Sequence, residues 1–316
     1  MQGSRLPSFS SLLKSRDVED PVNLYVHRPL AYAFVKLIYR SSITPNQVTA
    51  FAVILGAGAA ACWFWGSSWA MIAGGLLLWA SGIIDGADGI LARAKNMQSE
   101  FGRALDGAAD AVVAVLSICA ALYHLWVKHH DPMQFVLAVP SIGFSIMHLY
   151  LYDFYKESYL RATRPSSTGE GLDVSALEKH IEAMAQTHSR FTYIVMRHFY
   201  LPVIRIEHRL VGWTNPSAQR DRKKSSHSPL KAEIYRKHNL APMRLWTLVS
   251  WAPHTYLMAI CGMFDRLDVY LWLRLILMNA ILLILIVWQR RATEHTVEEL
   301  QARAKSPMLP SAMAHS

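Results

Sequence analysis

The sequence predicts an all-α, polytopic integral membrane protein with six transmembrane helices and additional amphipathic helices at the membrane interface. Three observations carry that expectation. Of 316 residues, 52% are hydrophobic and only 17% charged, a balance that excludes a disordered chain. The apolar residues gather into runs about as long as the ~20 residues that cross a bilayer core. The positive charges are distributed very unevenly between those runs.

In chain order, residues 1–42 form an N-terminal segment. Its start mixes Gln2, Ser4, Arg5, Pro7 and Lys14 with no apolar stretch, so a cleaved signal peptide is not expected. Leu30–Tyr39, flanked by Arg28 and Arg40, has the character of an interfacial helix. Residues 43–161 hold four spans, roughly Pro45–Gly66, Ser68–Ala92, Phe101–Val127 and Met133–Phe154, the second and third with aspartates at their ends. Residues 162–241 form a basic insert. In it, Ser175–Glu178 reads as a capping box opening a short helix. Phe191–Val211 alternates apolar groups with Arg197, His198, Arg205 and Arg209 around Pro202, and suits the headgroup plane better than a span. Asn215–Lys231 reads as a flexible linker. Residues 242–290 hold the last two spans, Met243–Phe264 and Val269–Trp288, with Arg274 placed to snorkel outward. The tail, 291–316, carries an acidic stretch Glu294–Glu299 that predicts a short surface helix. Cys62, Cys119 and Cys261 lie far apart within apolar runs, a spacing that fits neither a disulfide framework nor a thiolate zinc site.

Charge sets the expected orientation. Of 32 Lys and Arg, only Lys128 and Arg266 fall on one side of the six spans and Arg274 inside one; the rest lie on the other side. The positive-inside rule puts that basic side in the cytoplasm, with both termini and the insert. Such a protein belongs in a bacterial inner membrane or its equivalent. Trp63, Trp65, Trp69, Trp126 and Trp272 would form an outer aromatic belt. Residues 156–244, the insert with its flanks, hold 16 basic and 8 acidic groups, so +8 of the net charge of +9 lies there, and anionic inner-leaflet lipid explains it better than nucleic acid.

The chemistry lies in the minority charge. Asp85, Asp88, Gly89, Ala92 and Arg93 are followed, after eight residues, by Gly102, Asp106 and Asp110. At about 100° per residue the first group fits an arc of roughly 140° and the second one of roughly 80°. A short turn between antiparallel helices lets the two faces meet, so four carboxylates converge at the membrane boundary. A charge at a helix centre costs about 2.5–3.5 kcal/mol on insertion scales, and one Arg cannot neutralise four. An all-oxygen site suits two magnesium or manganese ions, which can clamp a diphosphate during displacement at phosphorus. Gly89 and Ala92 leave room for a ligand, and Arg93 offers a forked donor to phosphate. A non-enzymatic divalent-cation carrier would explain the carboxylates but not Gly89, Ala92 and Arg93 at their fixed offsets.

These residues fill every fixed position of D-x2-D-G-x2-A-R-x8-G-x3-D-x3-D, and in this the chain resembles the CDP-alcohol phosphotransferases. Ile43 to Thr49 is similar to the start of that family's first helix. The resemblance implies attack of a polar alcohol on a CDP-linked donor such as CDP-diacylglycerol, release of CMP, and dependence on magnesium or manganese, in phospholipid biosynthesis. By position, Asp85, Asp88, Asp106 and Asp110 would be metal ligands, with Asp110 also the base for the acceptor hydroxyl. Gly89, Ala92, Arg93 and Gly102 would make room for or contact the CDP moiety. Asn46 and Thr49 would line its nucleotide side, the alternative being a turn that caps the first span. Arg161 and Arg244 stand where relatives bind an acceptor phosphate, the alternative being a topological role. A homodimer through the membrane helices is implied by resemblance alone. The stretches Asp20–Pro29 and Gln98–Gly102 are similar to a subgroup often fused to nucleotidyltransferases, which makes a soluble CDP-headgroup donor, such as CDP-inositol, the second reading.

Overall fold

The protein is described from a computed structural model over residues 6–12, 16–164, 174–187, 189–223 and 228–305, with side chains omitted at 185–187, 220–223 and 305. All regular structure among these residues is helical. A short turn α1 (Phe9–Leu12) precedes α2 (Arg28–Ile38). Then come α3 (Pro45–Trp65), α4 (Ser68–Ala94), α5 (Glu100–His129) and α6 (Met133–Thr163). The insert supplies α7 (Val174–Thr187), α8 (Arg190–Val195), α9 (Leu201–Thr214) and α10 (Pro216–Lys223). The chain closes with α11 (Pro229–Trp246), α12 (Trp251–Met263), α13 (Leu267–Trp272) and α14 (Asn279–Lys305). Five helices are long and apolar enough to cross a membrane: α3, α4, α5, α6 and the continuous run Leu267–Ala304. The fold is that of an all-α polytopic membrane protein.

Local chemistry sets the ends of the spans. Thr44 and Gln47 form a reciprocal capping box at α3, with Pro45 in its first turn, and Gly66 at φ 73° ends it. Ser67 and Ser99 cap α4 and α5 through their side-chain oxygens. These caps satisfy N–H groups that the first turn leaves open.

The expected span Met243–Phe264 is not one helix. α11 ends at Trp246, a 3-10 turn covers Thr247–Val249, and Ser250 is extended at ψ 174°. Pro253 is the cause we assign: it has no N–H and its ring clashes with the carbonyl four residues back, so the helix must restart just before it. α12 alone is 13 residues long, roughly 20 Å at 1.5 Å per residue, so the segment crosses the bundle as a broken helix, from Trp246 beside Gln289 to Asp265 beside His124 and Lys128 at the far end of α5. Its apolar side chains also pack within the bundle. Met258, Ala259, Cys261 and Gly262 are buried, and α12 lies along α4.

Three further expectations are corrected. Asn215–Lys231 is helical over α10 and the start of α11, with 224–227 outside the described residues. Asn215 is buried, receives Ala218 N–H at 3.2 Å and donates to Thr293 Oγ1 at 3.0 Å. The acidic tail stretch is part of α14, which runs on to Lys305. A buried polar ladder holds it: Trp246 Nε1 to Gln289 Oε1 at 3.1 Å, Gln289 Nε2 to Asn239 Oδ1 at 2.7 Å, and Asn239 Nδ2 to Thr296 Oγ1 at 2.9 Å. Arg274 does not snorkel; it is buried and donates from Nε to Ser145 Oγ at 2.8 Å.

Trp63 also leaves the predicted belt. It is wholly buried, while Trp65, Trp69, Trp126 and Trp272 are exposed. Its indole fills the junction of α3, α4 and α12, where a Cβ on Gly74 would come within 2.5 Å of the ring and one on Gly262 within 2.4 Å. Close approach of the three helices therefore needs glycine at both positions. We expect Gly74→Ala to lower stability by about 1–3 kcal/mol through overpacking, read as a fall in the thermal unfolding midpoint in detergent. Gly143→Ala, where a Cβ meets nothing within 4 Å, should not lower it.

Candidate active site

The signature residues occupy the second half of α4 and the first half of α5, as their spacing predicts. α3 packs along both helices and is the main contact between them. The two aspartate faces therefore meet across a cleft. One carboxylate oxygen each from Asp85, Asp88 and Asp106 lies within 4.8 Å of the others. Asp88 is buried and accepts a hydrogen bond from the Thr49 hydroxyl, which reaches across from α3. Asp110, one turn beyond Asp106, stands outside this trio among the described residues. Its charge still acts on Asp85, and it is itself faced by Asp106, Asp88, Asp153 and Lys156.

Two unit charges about 4.8 Å apart repel by roughly 3 kcal/mol at an effective dielectric of ~20. Three such pairs cannot be balanced by the Arg28 guanidinium, the cation that acts on Asp85. The donor set consists of hard carboxylate oxygens, which fits a divalent cation of the magnesium or manganese class. Asp85, Asp88 and Asp106 are the residues that would hold it.

Along the sequence Arg28 only flanks a helix and belongs to the Asp20–Pro29 stretch; the structure sets it beside the site. It donates to the Gly86 carbonyl at 3.1 Å and pairs with Glu19 at 3.0 Å. A Cβ at Gly86 would lie 3.1 Å from its Nη1, so that glycine admits the guanidinium beside Asp85. The preceding residue anchors the segment. His27 is buried edge-on to Trp79 and Tyr256, with ring centroids 5.9 Å away from each. Burial, with the neighbouring Arg28, pushes its pKa down to about 4. A neutral imidazole there adds no charge to the site.

Arg93 folds back over Gly89, where a Cβ would lie 3.4 Å from its Nη1, and donates from Nε to the Leu12 carbonyl at 2.6 Å. Ala92 is half-buried beside it. Gly102 N–H donates to Ser99 Oγ at 2.9 Å, and its Cβ position lies 4.0 Å from Asn46 Oδ1. Asn46, Gly102 and the start of α5 are thus together at one edge of the cleft. Thr49, one turn further along α3, braces Asp88. Arg161 is half-buried near the end of α6, and Arg244 is exposed on α11, which packs along α6. Asp153 and Lys156, an ion pair on α6, were also unforeseen. Their only sequence signal is an i,i+3 pair of opposite charges at the end of a span.

The sequence matches the CDP-alcohol phosphatidyltransferase family over residues 42–204, more than half of the chain, including all four aspartates. The chain belongs to that family. That family's class is CDP-alcohol phosphotransferase, enzymes that transfer a phosphoryl group from a CDP-alcohol. The family is generally dependent on divalent metal, in keeping with the three converging carboxylates. The chain is also similar to the "Bifunctional IPC transferase and DIPP synthase" of Aquifex aeolicus (strain VF5), 33% identical over 119 residues. That match takes in 37% of this chain and 26% of the relative, so it spans well under two thirds of the relative's length.

The bond from Thr49 orients the Asp88 carboxylate and is expected to set metal affinity. Thr49→Val keeps the shape and removes the donor. We expect it to raise the divalent-ion concentration giving half-maximal activity by about 10–100-fold, in line with the loss of other outer-shell partners. Titrating ion against CMP release checks this.

Proposed function

We propose that the protein transfers a phosphatidyl, or other substituted phosphoryl, group from a CDP-linked donor to the hydroxyl of a polar alcohol. Asp85, Asp88 and Asp106 would hold magnesium or manganese, and a two-ion site would draw on Asp110 as well. Bound there, the metal supplies charge neutralisation for the donor's diphosphate. The observation that carries this reading is the trio of carboxylate oxygens within 4.8 Å, with Asp110 close by but outside the trio.

That offset suits a base. Asp110 takes the proton of the acceptor hydroxyl, whose oxygen forms a bond to the donor's distal phosphorus. The bond from that phosphorus to the CMP oxygen breaks, and CMP leaves with the electron pair. Asn46 and Gly102 border the nucleotide side of the cleft, where the absence of a side chain at Gly102 lets the donor approach the first turn of α5. Gly89 and Ala92 keep the opposite wall low. Arg93 presents its Nη groups over Gly89, towards the same cleft. Arg28 would hold charge near Asp85, and Lys156 near Asp110. Arg161 and Arg244 are the candidate contacts for a phosphorylated acceptor.

CDP-diacylglycerol is the donor we place first, because the site opens at the end of membrane spans. The second reading, a soluble CDP-headgroup donor such as CDP-inositol with an inositol phosphate or lipid acceptor, is favoured by the relative named as an IPC transferase and DIPP synthase. Charge asymmetry supports a cytoplasmic site and cytoplasmic termini, and a homodimer is the expected assembly.

Purified protein in detergent, given CDP-diacylglycerol or CDP-inositol with glycerol phosphate, inositol, inositol phosphate or serine, should release CMP only when magnesium or manganese is present. Product mass identifies donor and acceptor. No CMP from any pairing would overturn the reading. Asp110→Asn should lose nearly all turnover while still binding the CDP donor; activity near that of the unchanged chain would remove Asp110 as the base.

A further inference from the structure

The insert carries a surface that the transfer chemistry does not use. α8, a π turn at Met196–Tyr200 and α9 run without a break from Arg190 to Thr214. One side of this arm is buried. Val195, Met196 and Leu201 pack with Leu177, Ile181 and Met184 of α7 and with Ala104 of α5. Phe191 meets Phe101 edge-on with ring centroids 6.1 Å apart, and further along Val211 joins the core that contains Phe154 of α6. The arm thus lies across the end of the bundle that bears the carboxylates, from the first turn of α5 to the last part of α6.

Its other side exposes Phe191, Ile194, Phe199, Ile206 and Trp213, from 42% at Ile206 to 79% at Trp213. The π turn decides whether these five form one stripe. With α geometry throughout, the five-residue step from Ile194 to Phe199 would swing roughly 140° around the axis. A π turn, which closes on i→i+5, takes up much of that swing and brings Phe199 back towards the line of Ile194. The two seven-residue steps onward, to Ile206 and then Trp213, drift only about 20° each.

Basic residues border this stripe on one side. Arg190, His198 and Arg205 each precede a stripe residue by one position, and Arg209 follows Ile206 by three, so all four turn to the same flank. Arg205 is engaged by Glu178 at 3.1 Å. Arg190 and Arg209 are exposed near the two ends.

We propose that this face of the arm seats on an anionic lipid surface, with the apolar stripe entering the acyl boundary and Arg190 and Arg209 on lipid phosphates. Apolar groups beside a basic flank match the chemistry of a charged bilayer, and the arm already lies at the end of the spans. Seating it holds the wall formed over Ala104, between Gly102 and Asp106.

The full chain in nanodiscs tests this by amide hydrogen exchange, which is independent of catalysis. Discs of phosphatidylcholine are compared with discs of equimolar phosphatidylcholine and phosphatidylglycerol. Residues 191–213 should exchange several-fold more slowly in the anionic discs. Arg190→Gln with Arg209→Gln should lose that difference, and Phe199→Ser with Trp213→Ser should exchange fast in both lipids while α3 and α4 stay protected. Equal exchange of the unchanged chain in both lipids overturns the proposal. Protection that appears only with two copies in a disc also overturns it, because the occupant would then be a second copy of this chain.

Discussion

Mutual repulsion of carboxylates at the end of a membrane bundle is the constraint from which the rest of the site follows. Asp85, Asp88 and Asp106 bring oxygens within 4.8 Å of one another, a juxtaposition that water or a cation must compensate. The two helices that carry them do not close tightly on each other; α3 lies along both and holds them at a fixed separation. That arrangement leaves Asp85, Asp106 and Asp110 only half-buried while keeping the charges converged. The brace from Thr49 to Asp88 fits the same logic, because a hydroxyl donor from α3 fixes one carboxylate without adding charge.

The scaffold behind the site is held by small residues and by buried polar bonds in turn. At the far end of α4, glycines let α3, α4 and α12 close around Trp63. On the other flank, Asn215, Asn239, Trp246, Gln289, Thr293 and Thr296 tie the insert and α11 to α14 through satisfied hydrogen bonds. Each such bond nets only about 1 kcal/mol, but leaving one partner buried and unpaired costs about 1–3 kcal/mol. The ladder is therefore specific as well as stabilising, and it explains why a polar stretch after the last apolar run continues as helix.

What could be read from the sequence was what a single helix fixes. The offsets from Asp85 to Arg93 and from Gly102 to Asp110 become faces through helical periodicity alone, and those residues stand where periodicity put them. Features that depend on a partner helix were not legible. Arg28 reaches the site because Gly86 is small and Glu19 is near, and neither link has a pattern along the chain. Hydropathy merged α12 with the end of α11 because apolar content averages over the break ahead of Pro253. It also set Trp63 at the surface by composition, where packing buries it. The helix over α10 escaped notice because its residues are polar and its anchor, Asn215 to Thr293, spans 78 positions.

The same distinction bears on how specificity arises. The signature lies on α4 and α5, yet much of the boundary of the cleft is contributed by other elements. The N-terminal segment enters through Arg28 and through Val18, whose carbonyl accepts from Tyr152 at 2.8 Å. Asp17 links that segment to α6 through the Tyr159 hydroxyl at 3.0 Å and to α11 through Arg236 at 2.9 Å. The insert covers the first turn of α5 through Ala104 and Phe101. Lys156, Arg161 and Arg244 lie on the helices that these elements clamp. Chemistry common to a family can thus stay on two helices, while the choice of alcohol is left to segments that pack against them and can vary without moving the carboxylates.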